Sequence, residues 1–301
     1  MFSTSAGGGS PGYKGDGGPS IAALIDSPRG IASDLSGNIY FADRGNNVIR
    51  KIAPDRTIGT VAGNGKSTYN GENVPCQPSS IPPADRGHRF SRQYFIADSF
   101  NPRILKVGLN GLVSTVACTG AFGYSGNGGP AKIAEIGVVF GIAVDGAGNI
   151  YLADLENFAV RKIDASGMMS TIAGTGPSFS EDGATSALST AMFPSGVAAD
   201  SNGHLYIADV LNNQVFLVYL PGDIQAVAGN GRPGFSGDRG LATLATLGFP
   251  LSPVVDAKGN LYFVDSDNHR VREVSGSSIQ TNPRRIFSMR EWCRHSPDSI
   301  N

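Results

Sequence analysis

Five aspartates at a regular spacing are the residues of this sequence that most resemble a ligand-binding set. An Asn follows each of them after three residues, and the aspartates are Asp43, Asp98, Asp154, Asp209 and Asp265. Carboxylate and amide oxygens could bind a hard cation, but such a site needs several oxygens converging at about 2.4 Å. A catalytic site needs residues that differ from one another, whereas this pair recurs in every copy. We therefore predict that each Asp accepts backbone N–H groups at a strand end and fixes a turn.

Glycine-rich linkers at residues 15–18 and 126–129 faintly resemble a calcium loop. They lack the alternating acids and the distal Glu of an EF-hand loop. No Lys-Ser/Thr pair follows them before a helix, so they are not phosphate loops either. We predict a turn role for these linkers and no metal site.

One aromatic residue stands at the same place in each linker of the chain. These residues are Tyr13, Tyr69, Tyr124, Phe179 and Phe235. Aromatic residues together with Arg are frequent anchors at protein interfaces, so we take the five as candidate binding residues. The alternative is that each aromatic ring pins its own linker between neighbouring units.

Histidine and cysteine offer no recognisable site. His88, His204, His269 and His295 occupy different positions of the repeat, and no spacing indicates a metal pair. His204 stands where Asn149 and Asn260 stand in other repeats, which indicates a turn residue. The three Cys (Cys76, Cys118 and Cys293) form no CxxC pair. No nucleophile–base set can be assembled, so we predict no catalytic residue, metal or cofactor.

A repeat must position all of these residues. The motif Gly-Asn-Ile-Tyr-hydrophobic-Ala-Asp ends at the five aspartates, with steps of 55, 56, 55 and 56 residues. A Thr-Val-Ala-Gly motif and the linker motif keep the same register. In the third repeat we read four short strands near residues 141–145, 150–153, 160–163 and 169–173. A four-stranded antiparallel unit repeated in this way predicts a β-propeller blade and very little helix.

The repeat count predicts an all-β propeller of five four-stranded blades. Residues 2–7 align with the fourth strand of the repeat, and the last repeat lacks a clear fourth strand. We expect the N-terminal strand to complete the last blade, which would leave no exposed edge. A six-bladed ring or an open arc is the alternative. The predicted domains are a propeller at residues 1–275 and a non-repeat, poorly ordered tail at 276–301.

Composition excludes several classes of protein. The 301 residues include 41 Gly and 18 Pro, 16% are charged, 40% are hydrophobic and the net charge is -1. The apolar fraction is sufficient for a core, and Gly shows no collagen period. No apolar run reaches the roughly 18 residues of a membrane helix, and a near-neutral chain lacks the basic field that nucleic acid requires.

The repeat resembles that of the NHL family. The resemblance is carried by Gly-Asn-Ile-Tyr-hydrophobic-Ala-Asp-x-x-Asn-x-x-hydrophobic-Arg-Lys, as at residues 37–51 and 148–162, and by Asn268-His269 at 259–273. It implies a propeller that binds protein or another ligand, with metal-dependent lyases or lactonases as a minority. The 55-residue period with its Gly-Tyr-Ser-Gly linker resembles the bacterial, often exported branch, which implies an extracellular or periplasmic location.

Two stretches depart from this pattern, residues 76–92 and 276–301. We hypothesise that both are frame-slipped translation or an eroded repeat.

The favoured function is a non-catalytic propeller that presents a loop-rich face to a protein or a carbohydrate. We expect it to be monomeric, with no nucleic acid partner and no membrane span. One alternative is a metal-dependent propeller lyase or lactonase-like hydrolase. The other is a structural segment of a larger exported repeat protein, because no signal peptide is recognisable and the chain starts within a blade.

Overall fold

A computed structural model describes residues 4–33, 36–66, 94–108, 112–176, 186–220 and 222–282. The described residues form short strands and 3-10 helices, with no α-helix among them. The chain divides into two compact units, residues 1–157 with 161–171 and residues 158–160 with 172–301.

Five antiparallel sheets contain the strands. The first contains β1 (Pro28–Ser33), β2 (Ile39–Asp43), β3 (Val48–Ile52) and β4 (Ile58–Ala62). The second contains β5 (Tyr94–Asp98), β6 (Arg103–Val107) and β7 (Val113–Ala117). The third contains β8 (Gly129–Pro130), β9 (Val139–Val144), β10 (Ile150–Asp154), β11 (Ala159–Ile163) and β12 (Met168–Ala173).

The fourth contains β13 (Pro194–Ala199), β14 (Leu205–Asp209), β15 (Gln214–Tyr219) and β16 (Asp223–Ala228). The fifth contains β17 (Gly240–Leu241), β18 (Pro250–Val255), β19 (Leu261–Asp265), β20 (Arg270–Ser275) and β21 (Ser278–Asn282). Single-turn 3-10 helices lie in the connections, at Ser20–Ala22, Arg44–Asn46, Ala131–Ile133, Leu155–Asn157, Ala187–Ser189 and Ala242–Leu244.

In each sheet the main strands form an up-and-down meander in chain order, which is the structure of a propeller blade. In the third and fifth sheets, the two-residue strands β8 and β17 are added beside the last strand. The prediction of an all-β propeller with five blades is confirmed. In the second blade three strands are described, and residues 67–93, which precede them, lie outside the described residues.

Aspartates set the tight turn between the first two strands of a blade. Asp145 Oδ1 accepts the N–H groups of Ala147 and Asn149, both at 2.9 Å. Gly148 completes this turn at φ +85°, a conformation that glycine adopts without strain. Asp200 and Asp256 accept the equivalent N–H groups in the fourth and fifth blades. This repeated turn fixes the register of each hairpin.

Apolar side chains between successive sheets form the cores. In the first unit, Ala42 and Ala62 of the first blade pack with Ile96 and Leu105 of the second. Residues of the second blade pack in turn with Ile142 and Leu152 of the third. In the second unit, residues of the fourth blade pack with Phe263 and Leu261 of the fifth. Gly196 allows close packing there, because a Cβ at this position would lie 2.7 Å from Pro253 Cδ.

Linker residues pair with the outer strand of the blade that follows them. Strand β8 pairs with β12, and β17 pairs with β21. In the first and fourth blades, one linker residue forms a single β-bridge at the start of the outer strand. Pro19 pairs with Thr57, and Ser186 pairs with Asp223. An outer strand is therefore protected where an exposed edge would invite pairing with another chain.

The fourth strand of the last blade differs from the expectation. It is β21, in which Ile279 is fully buried and pairs with Val274 of β20. The prediction that the N-terminal strand completes this blade is therefore wrong, and Gly7 instead donates its N–H to Ser20 O at 2.9 Å. The Gly276-Ser277 turn reverses the chain directly after β20, so the nearest segment supplies the strand. Of the predicted tail, residues 283–301 lie outside the described residues.

Candidate functional site

The linker and the turn between the second and third strands lie on the same face of a blade. Asn46 Nδ2 donates to the linker carbonyl of Gly12 at 2.7 Å. Asn157 and Asn268 donate in the same way to Gly123 O and Gly234 O, at 2.8 and 2.7 Å. We call this surface of each blade the linker–turn face.

The five aspartates at the strand ends are buried. Asp43 Oδ1 accepts Asp26 N–H at 2.7 Å and Asn46 Nδ2–H at 2.8 Å. Asp154 and Asp265 accept the N–H groups of Gly137 and Gly248, at 3.0 and 2.7 Å. These contacts confirm that the Asp–Asn pairs fix turns.

A buried arginine completes the cluster in the first, third and fifth blades. It stands seven residues after the Asp, on the third strand, and is Arg50, Arg161 or Arg272. Arg50 pairs with Asp43 at 3.2 Å and with the linker residue Asp16 at 2.7 Å. Arg272 pairs with Asp265 at 2.9 Å and with Asp238 at 3.2 Å.

The third blade has a weaker version of this cluster. Arg161 lies 3.8 Å from Asp154, and its linker partner is the neutral Asn127, whose Oδ1 accepts from Nη2 at 3.2 Å. Burial raises the pKa of Asp154 to about 6, against the lowering effects of Asn157 and Arg161. Burial also lowers the pKa of Arg161. The third blade therefore holds its carboxylate with less cationic support than the first and fifth.

Sequence reasoning missed these clusters, because it assigned no role to the arginines of the third strands. The signal was present, since Asp and Arg recur seven residues apart in the first, third and fifth repeats. In the antiparallel pair β2–β3, Arg50 lies opposite Phe41, two residues from the Asp43 end of that strand. The same clusters engage the linker residues Asp16 and Asn127. The predicted linker turns are present, because Gly18 and Gly129 donate their N–H groups to Gly15 O and Gly126 O, both at 3.0 Å.

The aromatic candidates lie against the buried arginines. Tyr13 bonds to Thr60 Oγ1 at 2.9 Å, and its ring centroid is 5.3 Å from the guanidinium carbon of Arg50. Tyr124 bonds to Thr171 Oγ1 at 2.8 Å, and its ring lies 4.6 Å from Arg161. The two tyrosines therefore fasten the linker to its own blade.

Phe235 occupies the same place without a hydroxyl group. Its ring lies 3.9 Å from the guanidinium carbon of Arg270 and 5.0 Å from that of Arg272. Tyr13 and Phe235 remain 50% and 41% exposed, so each also offers aromatic surface to a partner. Tyr69 and Phe179 lie outside the described residues, and binding by the five aromatics stays a prediction.

Two further exposed apolar side chains occupy the tips of the second-to-third strand turns. Phe100 and Leu211 are both 54% exposed and follow the strand-end Asp by two residues. The guanidinium carbon of Arg44 lies 5.6 Å from the Phe100 ring centroid. Sequence reasoning missed both residues, although this turn position varies between Gly45, Phe100, Glu156, Leu211 and Asp267 and so marked a difference among the repeats.

Two of the remaining reactive side chains, His204 and Cys118, have structural roles. His204 Nδ1 lies 3.0 Å from Asp200 Oδ2, where Asn149 and Asn260 contact the equivalent Asp oxygens, so its predicted turn role is confirmed. Burial raises the pKa of the Cys118 thiol to about 12, which leaves it protonated and unreactive. His88, His295, Cys76 and Cys293 lie outside the described residues.

The described ranges contain neither a metal-binding cluster nor a membrane-spanning helix. Those residues contain no group of three or more His, Cys, Asp or Glu side chains that could hold a metal ion. They also contain no helix that is long and apolar enough to cross a membrane.

Comparison with known proteins supports a propeller of one repeat family. The family model of the NHL repeat matches residues 192–216. Protein SUPPRESSOR OF QUENCHING 1, chloroplastic, from Arabidopsis thaliana is 25% identical over 268 residues, which is 84% of this chain. The chain spans only 25% of the length of that relative.

Solved structures show the same fold at low sequence identity. A protein of unknown function from Bacteroides thetaiotaomicron has a TM-score of 0.66 and 15% identity, over 93% of this chain and 63% of that one. A chain of a Nidogen/Laminin complex has a TM-score of 0.57 and 15% identity, over 89% and 85%. A virginiamycin B lyase from Staphylococcus aureus has a TM-score of 0.53 and 14% identity, over 86% and 85%. At such identities the likeness concerns the fold alone.

Proposed function

We propose that this chain, an NHL-repeat β-propeller, is a non-catalytic binding module whose blades contact a protein through their linker–turn faces. The observation that carries the proposal is that the polar and the apolar side chains of these faces have different roles. The repeated polar groups are bonded within their own blades, as in the Asp43–Arg50 pair. Several of the large apolar side chains nevertheless remain exposed, among them Tyr13, Phe100 and Phe235.

This composition suits a protein partner. Aromatic residues and Arg are enriched at the energetically important positions of protein interfaces. A face whose shape is fixed by buried ion pairs also has little ordering cost to overcome on association. The Nidogen/Laminin complex supports the proposal by analogy of fold, because it shows a propeller of this kind in a protein assembly.

The test compares two sets of substitutions to serine. The first set removes the apolar side chains of the face, with Tyr13, Phe100, Leu211 and Phe235 changed together. The matched control set changes exposed aliphatic residues of the linker 3-10 helices, Ile21, Ile133, Leu188 and Leu244, which are 51%, 67%, 53% and 67% exposed. Partners captured by the wild-type chain are purified and their binding is measured by calorimetry.

We expect the face variant to lose at least tenfold in affinity and the control variant to change it less than threefold. Equal binding by all three proteins would contradict the proposal. So would the failure to recover a purified protein that binds the wild-type chain better than the face variant.

The proposal also includes the cellular location of the protein. The resemblance to exported bacterial members of the family supports an extracellular or periplasmic location. Fractionation of the source cells tests it, since recovery in the cytosolic fraction would contradict this location.

A further inference from the structure

We propose that Arg270, stacked on Phe235 in the fifth blade, is an anchor that binds a carboxylate group of the protein partner. The inference rests on the proposed function and adds the chemistry of the partner at one position: an Asp or Glu side chain.

Arg270 is placed at the surface and held in one orientation. It is the first residue of β20 and directly follows the turn of the linker–turn face. Its guanidinium carbon lies 3.9 Å from the centroid of the Phe235 ring, which is 41% exposed. Stacking on a ring fixes the guanidinium plane, so little side-chain entropy remains to be lost when a ligand binds its edge.

The donors of Arg270 have no partner among the described residues. Its Nε is buried without a hydrogen-bond acceptor, and no hydrogen bond or ion pair joins its terminal nitrogens to any other described side chain or carbonyl. A guanidinium carries five N–H donors and stays charged at all ordinary pH values. No described residue accepts a hydrogen bond from the terminal nitrogens, which leaves them able to donate to the carboxylate that we propose.

The same repeat position in other blades shows that this Arg is not needed for the fold. The position holds Val48, Arg103, Ala159 and Gln214 in the first four blades. Arg103 is used within its blade, where Nη2 donates to Thr119 O at 2.7 Å and Nη1 to Asn101 O at 3.3 Å. Arg270 differs from Arg103 because its terminal donors make no such bonds to the described residues.

Charge balance in the fifth blade does not explain Arg270 either. Arg272 already pairs with Asp265 and Asp238. Arg50 pairs in the same way with two aspartates in the first blade, where Val48 stands at the position of Arg270. A second arginine is thus not required beside such a cluster.

A carboxylate fits this site better than a phosphate. The planar fork of a guanidinium matches the two oxygens of a carboxylate in a bidentate contact. Asp238, whose side chain is 37% exposed, lies beside Arg272 in the same cluster and would repel a doubly charged anion more strongly than a singly charged one. The chain also has a net charge of -1, so no overall basic field favours a phosphate over a carboxylate.

The test uses hexaglutamate as the probe and hexaglutamine as its neutral control, with binding followed by calorimetry at low salt. We expect the wild-type protein to bind hexaglutamate and not hexaglutamine. Arg270→Gln should weaken that binding at least tenfold, whereas Arg103→Gln, at the same repeat position, should change it less than twofold. Circular dichroism and thermal unfolding of both variants establish that they are folded.

Three outcomes would overturn the inference: no binding of hexaglutamate by the wild-type chain, an effect of Arg270→Gln below twofold, or displacement by inorganic phosphate at the same concentration as by acetate. The proposed function fails separately. If the four-residue face variant loses a purified partner while Arg270→Gln binds it normally, the face is an interface and the carboxylate anchor is wrong.

Discussion

The blades differ in the residue that occupies one position of the third strand. In the first, third and fifth blades, the residue seven positions after the strand-end Asp is a fully buried Arg. In the second and fourth blades, the same position holds Leu105 and Phe216. Leu105 is buried and packs with Ala42, Ala62 and Ile96. A blade can therefore form with an apolar side chain where its neighbour has an ion pair.

The comparison of these blades shows what the buried arginine contributes to a blade. Arg161 Nη2 donates to the linker carbonyl of Ser125 at 2.7 Å, and Arg272 Nη2 to that of Ser236 at 2.9 Å. Each arginine thus joins the third strand to the linker, which a Leu or Phe cannot do. A buried ion pair is often no more stable than an apolar replacement, so its value here lies in fixing the linker–turn face.

The strongest test of this comparison is Arg272→Leu, which installs the residue type of the second blade in the fifth. Asp265 and Asp238 would lose their cationic partner while Asp265 stays buried. We expect a loss of about 4 kcal/mol in the free energy of unfolding, measured by urea denaturation.

The double variant Arg272→Leu with Asp265→Asn serves as the control. It should recover part of the loss, because the buried charge is then removed together with its partner. An unchanged stability of the single variant would show that the cluster is not a stabilising unit.

Leu105→Ala tests the contribution of the apolar residue that replaces the buried Arg in the second blade. The side chain is fully buried between the first and second blades, so truncation should leave a cavity and cost about 3 kcal/mol. Thermal unfolding measures the loss. Leu211→Ala, at an exposed turn tip, is the control and should change stability by less than about 0.5 kcal/mol. A cost of Leu105→Ala as small as that of Leu211→Ala would contradict the assignment of Leu105 to the core.

The pH dependence of the unfolding free energy of Asp154→Asn, compared with that of the wild type, tests the weak cluster of the third blade. The folded-state pKa of Asp154 is raised to about 6, so the folded protein keeps this proton where the unfolded chain has released it. The stabilisation from this group is complete below the ordinary Asp pKa and is lost as the pH rises through about 6. The wild type should therefore lose up to about 3 kcal/mol relative to Asp154→Asn between pH 4 and 7.

Asp164→Asn is the control with the opposite sign. Hydrogen bonds from Ser166 and Met168 lower the pKa of Asp164, so its stabilising effect is lost as the pH falls. Urea denaturation across the pH range measures both variants. Parallel stability curves for the wild type and Asp154→Asn would contradict the raised pKa.

The repeat made most of the fold predictable from sequence. The 55-residue step located the strands and turns, and the substitution of His204 for Asn identified its turn role. Strand β21 was missed because it lacks the Val-Ala or Ile-Ala ending of the last strand in the other blades. Its buried Ile279 nevertheless follows Ile224 by 55 residues, so the period alone contained the signal.

The candidate site was less predictable, because its features depend on contacts between elements. A strand Arg is ordinarily exposed, and its burial becomes evident only when Asp43 and Asp16 meet Arg50 from two different segments. The aromatic positions were recognised, but their stacking on these arginines was not. Exposure of Phe100 and Leu211 depends on a single turn position that varies between repeats.

The smallest predicted effect comes from Phe235→Tyr, which compares the fifth blade with the first and third. Tyr13 and Tyr124 bond to Thr60 and Thr171, whereas the equivalent Thr281 Oγ1 is buried without a hydrogen-bond partner. Thr60 and Thr281 both lie opposite the buried Arg of their blade, so a hydroxyl on residue 235 should reach Thr281. Satisfying this hydroxyl group should add about 1 kcal/mol to the free energy of unfolding, or about 2 °C to the melting temperature.

Thr281→Val alone should give a similar gain in stability by removing the unpaired hydroxyl. Phe235→Tyr in that background should add nothing. A gain that persists there would show that the hydroxyl acts elsewhere.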